Sequence, residues 1–117
     1  MTKFYEQVKE RLMRYARINT ESDPHSTSVP TTSCQHDLAS VIYEELQKIG
    51  ATNVYYDKDT CVVYGSLEAN VKSGRAIGFV THMDTAPDAS GKDVKPWVLE
   101  NYDGNDIVLN KEKDIVM

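Results

Sequence analysis

The chain has 117 residues, 40% hydrophobic and 26% charged, with a net charge of −5, the size and balance of one ordinary globular domain. The acidic balance leaves no basic footprint for nucleic acid, and no apolar run reaches the length of a membrane span. The opening residues Met1-Thr2-Lys3-Phe4-Tyr5-Glu6 are charged and helix-patterned, unlike a signal peptide, so a cytoplasmic, membrane-free protein is expected. Cys34 and Cys61 are too few for a disulfide framework and are expected as reduced thiols; a shared zinc pair would lack CxxC spacing.

In chain order, residues 3–18 predict a helix. Phe4, Val8, Leu12 and Tyr15 recur at helical steps and form one apolar stripe, expected to dock onto a sheet. Residues 19–32, with two prolines and many hydroxyls, predict a loop that is long for a plain connection. Within it, Asp23 and His25 form a weak surface metal candidate; a solvated histidine is the simpler reading. Residues 33–49 predict a second helix. Thr32 and Gln35 have capping-box spacing, Asp37 suits the first turn, and Gly50 suits the C-terminal cap. Leu38, Val41, Ile42, Leu46 and Ile49 make its apolar stripe. The Glu44-Glu45 pair reads as a solvated charged face.

Residues 52–57 and 60–67 alternate around Asp57-Lys58-Asp59 and predict a hairpin. A polar turn over 68–74 leads into Ala76–Val80, an uncharged run that reads as a strand buried on both faces. Beyond 87, a loop rich in small and polar residues leads to the apolar Trp97-Val98-Leu99. Asp103-Gly104 signals a turn, residues 106–110 predict a strand, and Ile115-Val116-Met117 reads as a strand cut short. The expected fold is α/β: a partial mixed sheet with flanking helices.

Polar groups gather just past the Ala76–Val80 run: Thr81, His82, Asp84, Thr85 and Asp88. Ligands of open α/β sheets sit beyond the carboxyl ends of strands. Neutral imidazole is a good ligand for zinc. Its second ring nitrogen needs an acceptor, often a carboxylate, to fix the tautomer. In an extended chain, His82 and Asp84 project from the same side. Alone, His-x-Asp is a weak motif, equally suited to ordinary hydrogen bonds.

His82-Met83-Asp84-Thr85-Ala86-Pro87-Asp88-Ala89-Ser90-Gly91, Val94-Lys95-Pro96 and Glu100–Asn110 together resemble the amino-terminal region of the peptidase T family. These are bacterial tripeptide aminopeptidases among the di-zinc metallopeptidases that include carboxypeptidase G. The opening helix and Leu46-Gln47-Lys48-Ile49-Gly50-Ala51 fit as well. The resemblance implies His82 as a metal ligand and Asp84 as the catalytic-site carboxylate that orients it. It implies two zinc ions, tripeptide substrates and homodimers formed through a lid domain in the intact protein. Loop 19–32 would support the rim of the site, with Thr85 and Asp88 behind the ligands.

The family's remaining ligands and its general base have no counterpart in residues 1–117, and zinc sites need three or four ligands. The expectation is therefore an amino-terminal portion of a catalytic domain, inactive alone. A related di-zinc dipeptidase or amidohydrolase is one alternative. A non-catalytic module that binds a partner through an open sheet edge is the other.

Overall fold

In the computed structural model, residues 3–72, 74–112 and 114–117 are described. Helix α1 spans Lys3–Tyr15 and α2 spans Gln35–Lys48. Strands β1 (Thr52–Asp57) and β2 (Val62–Ser66) form one antiparallel pair; β3 (Val108–Asn110) and β4 (Ile115–Val116) form another. The α/β class is as expected. The strands come as two separate two-stranded sheets, and the parallel element is one isolated bridge between Glu21 and Thr85.

The β1–β2 hairpin follows the alternation read from the sequence. Tyr55 faces Tyr64, Tyr56 faces Val63, and a bulge falls between Thr52 and Tyr55. Asn53 adopts a φ of 50° at that bulge. The turn is fixed by Asp57, whose Oδ1 accepts the Asp59 and Thr60 N–H groups at 3.0 and 3.4 Å. Such Asx turns are a recurrent use of aspartate. Cys61 ends the turn at a φ of 58°.

Helix α2 packs over this hairpin, and the core sits there: Leu38, Ala39 and Cys61 are the buried apolar residues among those described. Of the expected stripe, Leu38 is buried, Val41, Ile42 and Leu46 are half-buried, and Ile49 lies at the exposed end. Gly65 permits the close approach: a Cβ there would lie 3.2 Å from Leu46 Cδ1. The helix ends as its sequence predicts. Gly50 takes a φ of 83°, and the Gly50 and Ala51 N–H groups return to Gln47 and Leu46 carbonyls at 3.0 Å, the left-handed glycine cap.

Its start differs from the expected capping box. Cys34 is the N-cap and supplies no side-chain cap bond. Thr32 Oγ1 instead donates to the Glu21 carbonyl at 2.6 Å, and Gln35 Nε2 donates to Thr32 Oγ1 at 3.2 Å. The two side chains tie the preceding loop to the helix rather than capping its backbone.

Helix α1 forms where expected, but no residue in it is buried, and Phe4, Val8 and Leu12 remain exposed. It meets α2 through charge. Glu45 accepts Tyr15 Oη at 2.6 Å, Arg11 Nε at 3.1 Å, and a hydrogen bond from Arg14. The solvated reading holds for Glu44, which pairs with Lys48 at 3.4 Å, and fails for Glu45, whose side chain is 16% exposed.

The larger departure concerns residues 76–80. They form no strand; Ile77, Phe79 and Val80 stand 79%, 93% and 101% exposed. A central strand requires a ladder on each edge and cover on each face. Among the described residues, nothing pairs with this run. At the far end of the chain, β3 and β4 pair, and Ile107 and Met117 exchange both backbone bonds at 3.0 Å. The expected strands over 106–110 and at 115–117 are thus one small hairpin pair. Asp103 and Gly104 make the predicted turn, with Asn105 N–H on Asp103 Oδ1 at 3.1 Å and a Gly104 φ of 86°. Of the 68–74 turn, Ser73 lies outside the described residues.

Candidate functional site

His82 and Asp84 do come together. His82 Nδ1 lies 2.9 Å from the Asp84 carbonyl oxygen and 3.1 Å from Asp84 Oδ1. A carbonyl and a carboxylate only accept, so Nδ1 carries the proton. A neutral ring then leaves a lone pair on Nε2. The His82 side chain is 83% exposed and that of Asp84 41%, so Nε2 is open to a ligand.

Three elements converge on this pair. A depression of about 250 Å³ is lined by Thr81, His82, Met83 and Asp84 on one side. Gln35 and Ile42 of α2, with Cys61, Val62 and Val63 of the hairpin, form the other. Asp84 also borders a neighbouring hollow shared with Ser22, Asp23 and Thr60. The site therefore sits where the α2 start, the hairpin turn and loop 19–32 meet.

The loop contributes most of the anchoring. Thr85 N–H donates to the Thr20 carbonyl at 3.1 Å, and Ser22 N–H donates to the Thr85 carbonyl at 2.9 Å. The Ser22 hydroxyl donates to the same carbonyl at 3.0 Å. Glu21 Oε2 accepts the Gly91 N–H at 3.0 Å. Thr20 is the buried polar residue among those described. The loop beyond residue 87 is therefore tied back at Gly91. Thr20, Glu21, Ser22 and Gly91 carried no recognisable signal in the sequence, because all four of these contacts are made by backbone atoms at one end or both.

Cys61 borders this depression, and Cys34 sits at the base of loop 19–32. Both are free thiols. Cys34 Sγ donates toward the Glu21 carbonyl at 3.7 Å and lies 3.3 Å from Thr32 Oγ1. Burial pushes the Cys61 thiol above its ordinary value, against a hydrogen bond with Tyr56 that pulls it down. Burial and the neighbouring Cys61 raise the Tyr56 hydroxyl as well. A thiol held protonated is a poor nucleophile and metal ligand. His25 donates its backbone N–H to Asp23 Oδ1 at 2.9 Å, a local turn. Among the described residues, no three His, Cys, Asp or Glu side chains cluster closely enough to hold a metal ion. No helix among them is long and apolar enough to cross a membrane.

No protein-family model matches the chain. Its sequence is 47% identical over 111 residues to peptidase T of Alkaliphilus oremlandii, covering 92% of this chain and 27% of that protein. It is 48% identical over 113 residues to peptidase T of Clostridium acetobutylicum, covering 96% of this chain and 28% of that protein. With peptidase T of Geobacillus kaustophilus it shares 47% identity over 113 residues, 96% and 27% of the two chains. The chain is related to peptidase T over nearly its whole length. It spans just over a quarter of the length of these curated relatives.

Proposed function

We propose that this chain is the amino-terminal portion of the catalytic domain of a cytoplasmic, zinc-dependent peptidase T that removes the first residue from tripeptides. The observation that carries the reading is the His82–Asp84 pair: an exposed imidazole with Nδ1 committed to Asp84 and Nε2 left free. That is the arrangement a zinc-binding histidine needs. The relatives' shared name supplies the reaction class.

The residues fit one leg of a zinc site rather than a whole one. His82 would hold one metal, and Asp84 would fix its ring. The remaining ligands and the general base would come from the part of the relatives' length that this chain does not span. When bound, two zinc ions supply Lewis-acid polarisation of the peptide carbonyl and a water of lowered pKa. In this chain, Asp84 keeps the Nδ1 proton in place, and the exposed rim around Thr81 and Met83 is where a small peptide would approach. Pairing into a homodimer would likewise depend on segments beyond these residues. A related di-zinc dipeptidase or amidohydrolase would use the same pair.

The exposed Ile77, Phe79 and Val80 favour a second reading, a non-catalytic module that binds a partner along this edge. The isolated chain behaves alike under both readings, and the longer protein separates them. The isolated chain should bind far less than one zinc per molecule and release no residue from a tripeptide. In a protein that continues past Met117 with the missing carboxylates, His82→Ala should abolish tripeptide hydrolysis and leave the circular dichroism spectrum unchanged. Retained turnover in that variant would remove His82 from the site.

A further inference from the structure

The Asp84–Thr85 peptide is held on both sides. Its N–H, on Thr85, donates to the Thr20 carbonyl at 3.1 Å. Its C=O, on Asp84, accepts from His82 Nδ1 at 2.9 Å. A trans peptide places these two groups on opposite sides of one rigid plane, so fixing one fixes the other. Rigidity enters from the Thr20 end: Thr20 is 3% exposed, and the His82 side chain is 83% exposed. Ser22 locks the next carbonyl with its N–H and its hydroxyl, at 2.9 and 3.0 Å. Glu21 secures the far end of the loop at Gly91. A Cβ at Gly91 would lie 2.6 Å from Asn19 Oδ1, so a larger residue there would displace the Asn19 side chain.

We propose that Thr20 is a positioning residue for His82: its buried carbonyl, acting through the Asp84–Thr85 peptide, holds the exposed imidazole in the Nδ1–H tautomer with Nε2 free. The functional consequence, a histidine set in advance to ligate zinc, rests on the metallopeptidase reading; the tautomer and its cause do not. The side-chain carboxylate of Asp84 can swing away with its own rotamer. The peptide carbonyl is held, because turning it would break the bond from Thr85 N–H to Thr20 in the same rigid plane.

The test is nuclear magnetic resonance on the 117-residue chain without metal, at a pH where imidazole is neutral. Long-range proton–nitrogen spectra read the His82 tautomer, and a coupling across the hydrogen bond from Thr85 N to the Thr20 carbonyl carbon reads the relay. The expected result is a dominant Nδ1–H form at His82 together with that coupling. Thr85→Pro deletes the donated N–H; it should lower the Nδ1–H to Nε2–H ratio by roughly three- to tenfold while the β1–β2 amide signals stay in place. If Thr85→Pro disturbs the whole spectrum, Gly91→Ala, whose Cβ would crowd Asn19 Oδ1 and Thr85 Oγ1, should weaken the coupling and the ratio together. An Nε2–H form in the unmodified chain, or a ratio that survives loss of the coupling, overturns the proposal. The metal reading fails separately: tripeptide turnover retained by His82→Ala in a protein that continues past Met117, with tautomer and coupling as expected here, refutes it and upholds the positioning role.

Discussion

Replacing Glu45 should release α1 from the molecule. The carboxylate takes a hydrogen bond from Tyr15 at 2.6 Å and contacts from Arg11 and Arg14. A hydrogen bond to a charged acceptor contributes about 1.5–3 kcal/mol. The two guanidinium side chains are 38% and 45% exposed, so water and salt screen them to about 0.2–1 kcal/mol each. Glu45→Ala should therefore weaken the docking of α1 by about 2–5 kcal/mol. It should not weaken α2 itself, because alanine is the better helix former. Helix α1 has 13 residues and no buried side chain, and helices of about that length are marginal alone in water. Amide hydrogen exchange is the assay: protection over residues 3–15 should fall by roughly thirtyfold or more, with α2 and the hairpin unchanged. The same cluster sets a pH dependence. Burial pushes the Glu45 carboxyl up, but hydrogen bonds from Tyr15 and Arg11 and the charges of Arg14 and Arg11 outweigh it, so the net shift is below the ordinary value of 4.5. A depressed carboxylate stabilises the fold fully above that ordinary value and loses its contribution as pH falls through the lower, folded one. Protection of α1 should thus be level above about pH 5 and decline in acid below 4.5. Unchanged α1 protection in Glu45→Ala would refute the idea that this cluster anchors the helix.

Gly65→Val should loosen α2 on the hairpin, since the space beyond a Cβ is already taken by Leu46; overpacking of this kind costs about 1–3 kcal/mol and is read as a lower urea midpoint. Thiol labelling at neutral pH, followed by mass spectrometry, should modify Cys34 well before Cys61, because Cys61 is buried with its thiol pushed up; equal rates would contradict that environment. Phe79→Ser with Val80→Ser should suppress self-association of the isolated chain in sedimentation experiments without altering its hairpin, since both side chains stand in water. An isolated chain that is monomeric at every concentration would refute that last expectation.

What could be read from the sequence was what a few neighbouring residues decide. Gly50 ends α2 because its position needs a left-handed residue, and Asp57 closes the hairpin because its carboxylate reaches two N–H groups within three residues. The meeting of His82 with Asp84 is likewise a contact two residues apart. Periodicity correctly made α1 a helix, yet it says which residues share a face and nothing about what covers that face. The Phe4–Leu12 stripe is accordingly real and uncovered. Glu45 was legible as charged and illegible as an anchor, since its partners lie 30 to 34 residues away. The loop contacts that secure the site span 63 to 70 residues, and each meets a backbone group, which every residue carries, at one end at least.

The exposed run before His82 and the anchored peptide after it divide the labour at this site. Residues 76–80 have the composition of a buried strand and none of its surroundings. If the strand were what positioned His82, an unpaired run would leave the ring adrift. Instead the ring is held from downstream, by Asp84 and by the Thr20–Ser22 segment behind Thr85. The His82 geometry is thus set without any strand at residues 76–80. Burying Ile77, Phe79 and Val80 would contribute about 25 cal/mol per Å², independently of the hydrogen bonds that hold His82. In this arrangement the chain holds two separable features, an imidazole held by local hydrogen bonds and an exposed apolar run that no other element covers among the described residues.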